Sequence, residues 1–370
     1  VTIGCAPGAA GCGHQAKETD MHIAQVAPLY ESVPPQAYGG TERVVAYLTD
    51  ELIRRGHEVT LFASADSRTL ARLVPGSTTA LRLGNVRDPL AHHVCLLDEV
   101  FRRAADFDVI HCHVDYLAFP FLAACPVPSV STLHGRLDLP DLQPIYQRFS
   151  QVPLVSISDA QRGPVANANW LRTVYHGLPP DEHTFEARPD GYLAFLGRIA
   201  PEKRVDRAIA IAKRVGLPLK IAAKVDPADR VYFEQEIRPL LDDPLIDYIG
   251  EINGARKNEF LGHASAVLFP IDWPEPFGLV MIEAMACGTP VIAFRAGSVP
   301  EIMCEGTSGF VVDDVEQAAS AVARLDQIDR AACRAYFERR FSVAAMAEAY
   351  LDVYREVIGY GLADVAQAAS

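Results

Sequence analysis

Apolar residues along the chain follow two alternating patterns, short continuous runs and longer stretches in which they recur at every third or fourth position. The run MHIAQVAP, which starts at Met21, and those at 58–63, 109–113, 129–132 and 154–157 predict buried strands. Helix-periodic stretches separate them. The one carrying Val44, Val45, Leu48 and Leu52 has a single apolar face and is stopped by Gly56. The same alternation resumes after residues 179–190, a segment with three prolines that reads as a linker. Strands are then predicted at 192–196, 219–223, 247–250, 266–270, 291–294 and 310–312, and a helix bearing Val205, Ile209 and Ala212 follows the first of them. Buried strands alternating with helices build parallel sheets covered on both faces, so the fold class is α/β, with two Rossmann-like, doubly wound domains. The expected organisation is a flexible Gly- and Ala-rich extension over residues 1–20, a first domain over 21–180, a second over 181–341 and a terminal helical segment over 342–370.

Composition narrows the function classes. With 370 residues, 49% of them hydrophobic and 22% charged, the chain reads as globular and is long enough for two domains. No apolar run approaches the roughly 20 residues of a membrane span, so no integral membrane segment is expected. A net charge of −13 argues against a nucleic-acid binder. Residues 21–180 hold 13 Arg and no Lys against 15 acidic side chains, so most of the excess acid lies in the second half. Eight cysteines are scattered without a C-x-x-C pair, which suits reduced thiols and a cytoplasmic location. His111-Cys112-His113 could suggest a metal, but it sits in an apolar strand whose successive side chains point to opposite faces. Asp106-Phe107-Asp108 matches a D-x-D metal motif, yet it directly precedes that strand, as polar residues commonly do. No metal site is expected.

The stretch PIDWPEPFGLVMIEAMACGTPVI, from Pro270, carries the chemistry. Pro276 suits the first turn of a helix and Gly288 the left-handed residue after its end. Phe277, Gly278 and Leu279 would then present N–H groups at the positive end of the helix dipole, a place for an anion. Glu275 and Glu283 lie eight residues apart on either side of that start, and carboxylates accept hydrogen bonds from vicinal hydroxyls of a sugar or ribose. Earlier in the same half, Gly197-Arg198 ends a strand and Lys203 stands at a helix entrance, the wrong end of the dipole for a solvated cation. Arg198 and Lys203 form a candidate diphosphate clamp. In the first half, the pair Gly39-Gly40 between strand and helix allows close backbone approach to a ligand. His134 ends the run SVSTLHG at a strand's C-terminal edge, where α/β folds place ligands.

The run from Glu275 through Glu283 to Ile292 resembles the E-x7-E signature of the family 4 retaining glycosyltransferases, and the likeness extends from about Met21 to the C-terminus. The resemblance implies the GT-B fold, two Rossmann-like domains facing each other across a cleft, with the terminal helix crossing back to the first. It implies that Glu275 contacts the donor sugar and Glu283 the ribose, that His134 sits against the sugar, and that Gly39-Gly40 lies near the donor phosphate and acceptor. Glu251 and Ile252 would hold the base through backbone contacts. Two positions depart from the family: His176 replaces an asparagine, and Arg204 replaces the glycine after Lys203. The implied reaction is metal-independent, cofactor-free transfer of a sugar, with retention, from a UDP- or GDP-sugar to a hydroxyl of a small-molecule, glycan or lipid-linked acceptor. The loop 31–38 is expected on the acceptor side. A nucleotide-sugar epimerase of GT-B architecture and a non-catalytic sugar-nucleotide binding protein remain as alternatives. An NAD oxidoreductase does not fit, because no G-x-G-x-x-G turn follows the first strand.

Overall fold

A computed structural model describes residues 20–36, 39–84, 86–252 and 254–368. Residues 1–19 of the expected N-terminal extension, and Ala37 and Tyr38 of the acceptor-side loop, lie outside the described residues. Seven strands, β1 (His22–Val26), β2 (Glu58–Ser64), β3 (Arg72–Ser77), β4 (Val109–Cys112), β5 (Ser129–Thr132), β6 (Leu154–Ser156) and β7 (Trp170–Thr173), form one parallel sheet in the order β3-β2-β1-β4-β5-β6-β7. Six more, β8 (Tyr192–Arg198), β9 (Leu219–Lys224), β10 (Ile246–Gly250), β11 (Ala264–Phe269), β12 (Val291–Phe294) and β13 (Gly309–Val312), form the second in the order β10-β9-β8-β11-β12-β13. Both orders run outward from a central strand and then reverse, which is the doubly wound pattern. All eleven predicted strands are present. The two not predicted, β3 and β7, are the edges of the first sheet: β3 contains Pro75 and Gly76, and β7 is half-exposed, so neither reads as a buried run.

Helix Gly40–Arg54 buries Val44, Val45, Leu48 and Leu52, the apolar face read from the sequence. Its core is shared with the far end of the chain. Ile23, Val44, Leu48 and Leu52 cluster with Met346, Tyr350, Leu351 and Tyr354 of the terminal helix Val343–Ala368. That helix returns to the first sheet through a narrow crossing. Leu178 N–H donates to Phe341 O (2.9 Å), and Val343 N–H donates to Leu178 O (2.9 Å). A Cβ on Gly177 would fall 2.3 Å from the Ser342 carbonyl oxygen, so only glycine permits the two segments to approach this closely. Among the described residues, no helix is long and apolar enough to cross a membrane.

Leu48 is fully buried at the junction of first sheet, helix and terminal helix. Leu48→Ala is expected to lower stability by about 2–5 kcal/mol, read as a lower urea midpoint at an unchanged slope.

Candidate active site

In a doubly wound sheet the loops on either side of the order reversal diverge and leave a crevice at the carboxyl ends of the strands. In the second sheet the reversal falls between β8 and β11, and the loops that leave these two strands carry the sequence-predicted residues. They are tied together. Lys203, after β8, forms an ion pair with Glu275, after β11. The same carboxylate oxygen accepts the Trp273 indole N–H (2.9 Å), and the Lys203 ammonium lies 5.0 Å from the Trp273 ring centroid. Asp272 N–H donates to the Glu202 carbonyl (2.9 Å), which adds a backbone tie between the loops.

The helix after Glu275 begins later than its sequence suggests. Pro276 is in the loop, and the helix is Leu279–Ala286, entered through Gly278 at φ 81° and ψ 66°. Phe277 is therefore no helical N–H donor: its side chain is buried in the core, and its carbonyl accepts the Ser298 hydroxyl (2.8 Å). Met281 N–H bonds back to Gly278 O (3.0 Å), so the groups heading the helix are the N–H of Leu279 and Val280. A side chain at Gly278 would meet Met281 Cε at 2.8 Å and Phe269 Cζ at 3.1 Å in addition to its left-handed strain. Gly288 has the left-handed conformation expected beyond the helix end, φ 79°.

Glu275 is also held from behind. Ser298 N–H donates to its carbonyl (3.0 Å), and Gly297 packs so closely that a Cβ would lie 2.4 Å from the Glu275 backbone. Arg198 emerges from β8 into a ring of acids: it donates to Glu202 (2.7 Å) and lies 3.5 Å from Asp226 and 3.6 Å from Asp229. Arg204, in the family's glycine position, takes the left-handed conformation itself, φ 51° and ψ 50°. That costs about 1 kcal/mol. Ion pairs to Asp206 (2.8 Å) and Asp272 (2.7 Å) offset it and hold the guanidinium above its ordinary pKa. Gly197 has no close contact that would exclude a side chain.

Glu283 is buried in the helix and paired with Lys257 of helix Gly254–Gly262. Burial pushes its carboxyl up, but Lys257, with Arg43 and His183 farther off, pulls it to a net value below the ordinary range. Glu251 and Ile252 follow β10; Glu251 is exposed, whereas Ile252 is half-buried against the core of the second sheet.

Residues of the first sheet face this cluster. A Cβ on Gly40 would approach Leu279 Cδ1 to 3.3 Å, which places the Gly39-Gly40 turn against the helix start. Gly39 itself is crowded by Pro35 and Glu42. His134, after β5, stacks on His176 with centroids 5.3 Å apart and planes 15° apart, and His176 lies 4.7 Å from the Phe277 ring. The departure at His176 thus fills the space between His134 and the Glu275 loop. Burial lowers both imidazoles, His134 to about 3, so they are neutral. The Nδ1 atoms of both are buried with no hydrogen-bond partner among the described residues. Arg136 reaches over Trp273, 5.9 Å from its centroid, and Glu301 accepts the N–H groups of Asp159 and Ala160 (2.7 Å each), bridging the domains.

Of the residues singled out in the sequence, the structure brings together Lys203 and Glu275, and Gly40 and Leu279, and connects His134 to Phe277 through His176. Sequence reasoning missed Trp273, Lys257, Gly297, Ser298 and His113. His113 donates or accepts at His134 Nε2 (2.8 Å), and the alternation in His111-Cys112-His113 could have found it, since i and i+2 share a strand face. Lys257 has no local signal. Lys257→Met would leave Glu283 buried without its nearest cation and raise the carboxyl pKa. The variant is expected to lose about 3 kcal/mol at pH 8. With the folded pKa above the unfolded one, the deficit should shrink as pH falls and the carboxyl protonates. Urea unfolding at pH 8 and pH 5 reads both effects.

Two family models match overlapping parts of the chain: Glycosyltransferase Family 4 over residues 38–215, and Glycosyl transferases group 1 over residues 182–335. The phosphatidyl-myo-inositol mannosyltransferase of Mycolicibacterium smegmatis is 27% identical, covering 92% of this chain and 95% of its own. The alpha-maltose-1-phosphate synthase of Mycobacterium tuberculosis is also 27% identical, over 90% of this chain and 99% of its own. Among solved structures, a glycosyltransferase involved in avilamycin A biosynthesis superposes with a TM-score of 0.70 at 26% identity, covering 92% of this chain and 98% of the other. Sucrose-phosphate synthase from Thermosynechococcus elongatus shares the fold, with a TM-score of 0.75 at 18% identity over 92% and 99% of the two chains. Between them the two models span residues 38–335, and the chain is a glycosyltransferase of GT-B architecture, similar to the family 4 enzymes.

Proposed function

We propose that the protein transfers a sugar, with retention of anomeric configuration, from a nucleoside diphosphate sugar, UDP- or GDP-linked, to an acceptor hydroxyl without a metal ion. The observation that carries this reading is the Lys203–Glu275–Trp273 cluster beside the glycine-entered helix start, with the His134–His176 stack reaching it from the other sheet. Glu275 Oε2 is occupied by Lys203 and Trp273, so a sugar hydroxyl would be received on Oε1. Glu283 Oε1 is likewise taken by Lys257, which leaves Oε2 for the ribose.

Departure of the nucleoside diphosphate places negative charge on its phosphate oxygens, and fixed positive groups there lower the barrier. Lys203 and the N–H groups of Leu279 and Val280 supply them. Arg198 joins by exchanging carboxylates for phosphate: Glu202, Asp226 and Asp229 hold it in position, and a diphosphate brings more charge than any one of these acids. These cations would take the place that a metal ion has in other glycosyltransferases. No side chain is assigned as a covalent nucleophile; the departing phosphate takes the acceptor proton on the same face of the sugar.

Arg198→Ala is expected to lower turnover about a hundredfold, roughly 3 kcal/mol, with a small change in melting temperature. Near-normal transfer by this variant would remove the clamp. A thermal-shift screen with UDP-, GDP-, ADP- and dTDP-sugars tests the donor directly: stabilisation by one nucleotide class is expected, and no response to any of them would overturn the reading.

A further inference from the structure

A chain of hydrogen bonds runs from the cleft through the first sheet to the terminal helix. His134 Nε2 lies 2.8 Å from His113 Nδ1, and His113 Nε2 lies 2.8 Å from Gln25 Oε1. Gln25 Nε2 donates to the Tyr354 hydroxyl (2.9 Å). Beyond it, Tyr354 meets His111 Nδ1 (2.8 Å), His111 Nε2 meets Thr132 Oγ1 (2.7 Å), and Thr132 meets Tyr350 (3.1 Å). Gln25, His111, His113, Thr132, Tyr350 and Tyr354 are all buried.

We infer that Gln25 is a positioning residue that fixes the tautomer of His134, so that the buried His134 Nδ1 keeps a bare lone pair that accepts a hydrogen bond from a hydroxyl of the bound donor sugar. The reasoning is stepwise. Gln25 Oε1 can only accept, so His113 carries its proton on Nε2. A neutral imidazole has one N–H, so His113 Nδ1 is an acceptor, and its contact with His134 requires the His134 proton on Nε2. His134 Nδ1 is then unprotonated, buried and without a partner among the described residues.

The chain has one other consistent sense. Turning the Gln25 amide over would reverse every proton and leave a buried, unpaired N–H at His134 Nδ1. Orphaned buried N–H groups are rarer than under-satisfied acceptors, which favours the amide orientation described above. A lone pair at this position selects a proton donor. A sugar hydroxyl satisfies it, whereas an ionised phosphate oxygen cannot. The site therefore takes the sugar and rejects the diphosphate, which belongs with the cations opposite. This assignment of the ligand rests on the proposed donor reading; the tautomer itself does not.

The test is long-range proton–nitrogen NMR of the full chain labelled with 15N-histidine, without ligand. Wild-type His134 is expected as a single neutral tautomer protonated at Nε2. Gln25→Met removes the acceptor that orders His113, and Tyr354→Phe removes the hydroxyl that holds the amide; each is expected to give a mixture of tautomers at His134. A wild-type His134 protonated at Nδ1 would overturn the inference, and so would an unchanged His134 signal in the folded variants. If one variant fails to fold, the wild-type spectrum and the other decide. Transfer assays separate this from the functional reading. Gln25→Met should lower kcat/KM about tenfold while calorimetric affinity for UDP or GDP, whichever nucleotide the screen selects, stays unchanged. Absence of any transfer by wild-type protein with the expected tautomer would sink the function and leave the relay standing.

Discussion

Two loops leave the second sheet on either side of the place where its strand order reverses, and the ion pair between Lys203 and Glu275 binds them into one surface. The Asp272–Glu202 backbone hydrogen bond and the Arg204–Asp272 ion pair join the same two loops. The β8 loop holds a short 3-10 turn, Pro201–Lys203, and a strained Arg204; the β11 loop runs from Pro270 to Gly278 without helix or strand. The pair gives each a reference point, and Trp273, Gly297 and Ser298 then restrict how the Glu275 segment can move. The site's precision thus follows from topology first and from the ties between these two loops second.

Charge is arranged so that the site is stable before anything binds. The excess acid of the second half includes Glu202, Asp206, Asp226, Asp229 and Asp272, and these surround Arg198 and Arg204. A cluster of uncompensated cations at a cleft would repel itself and loosen the loops; acids remove that repulsion. The arrangement also sets a condition on any ligand. It must bring enough negative charge, at closer range, to displace partly exposed carboxylates, and single exposed pairs of this kind contribute only about 0–1 kcal/mol. A diphosphate meets that condition without requiring the acids to be buried or lost.

The fold was legible because its strands are buried on both faces and stand out as continuous apolar runs, while the two edge strands, with Pro75, Gly76 and half-exposed residues, carry no such signature. The site was legible where chemistry is concentrated in one segment, as with Glu275, Glu283 and Gly278. It was misread at Pro276, whose compatibility with a first helical turn says nothing about whether a glycine just beyond will take the entry position instead. It was invisible where partners come from distant segments. Lys257 stabilises Glu283 from another helix, and Ser298 holds the Phe277 carbonyl from the loop after β12; neither spacing has a local cause. Arg204 is a different case. The family pattern flagged a missing glycine, and the chain keeps the left-handed turn by giving the replacing side chain two acidic partners.

The terminal helix joins these strands of argument. Its apolar residues, Met346, Tyr350, Leu351 and Tyr354 among them, complete the core under helix Gly40–Arg54, the helix whose first turn holds Gly40 against Leu279. The hydroxyl of Tyr354 is also a link in the buried polar chain that ends at His134, and that of Tyr350 is its far end. One element therefore sets both the packing behind the cleft's glycine turn and the polarity of its histidine. A buried polar chain of this length is costly unless every member is satisfied. Among the described residues its one unpartnered nitrogen is the buried His134 Nδ1, so the polarity of that histidine is continuous with the packing that holds the first domain together.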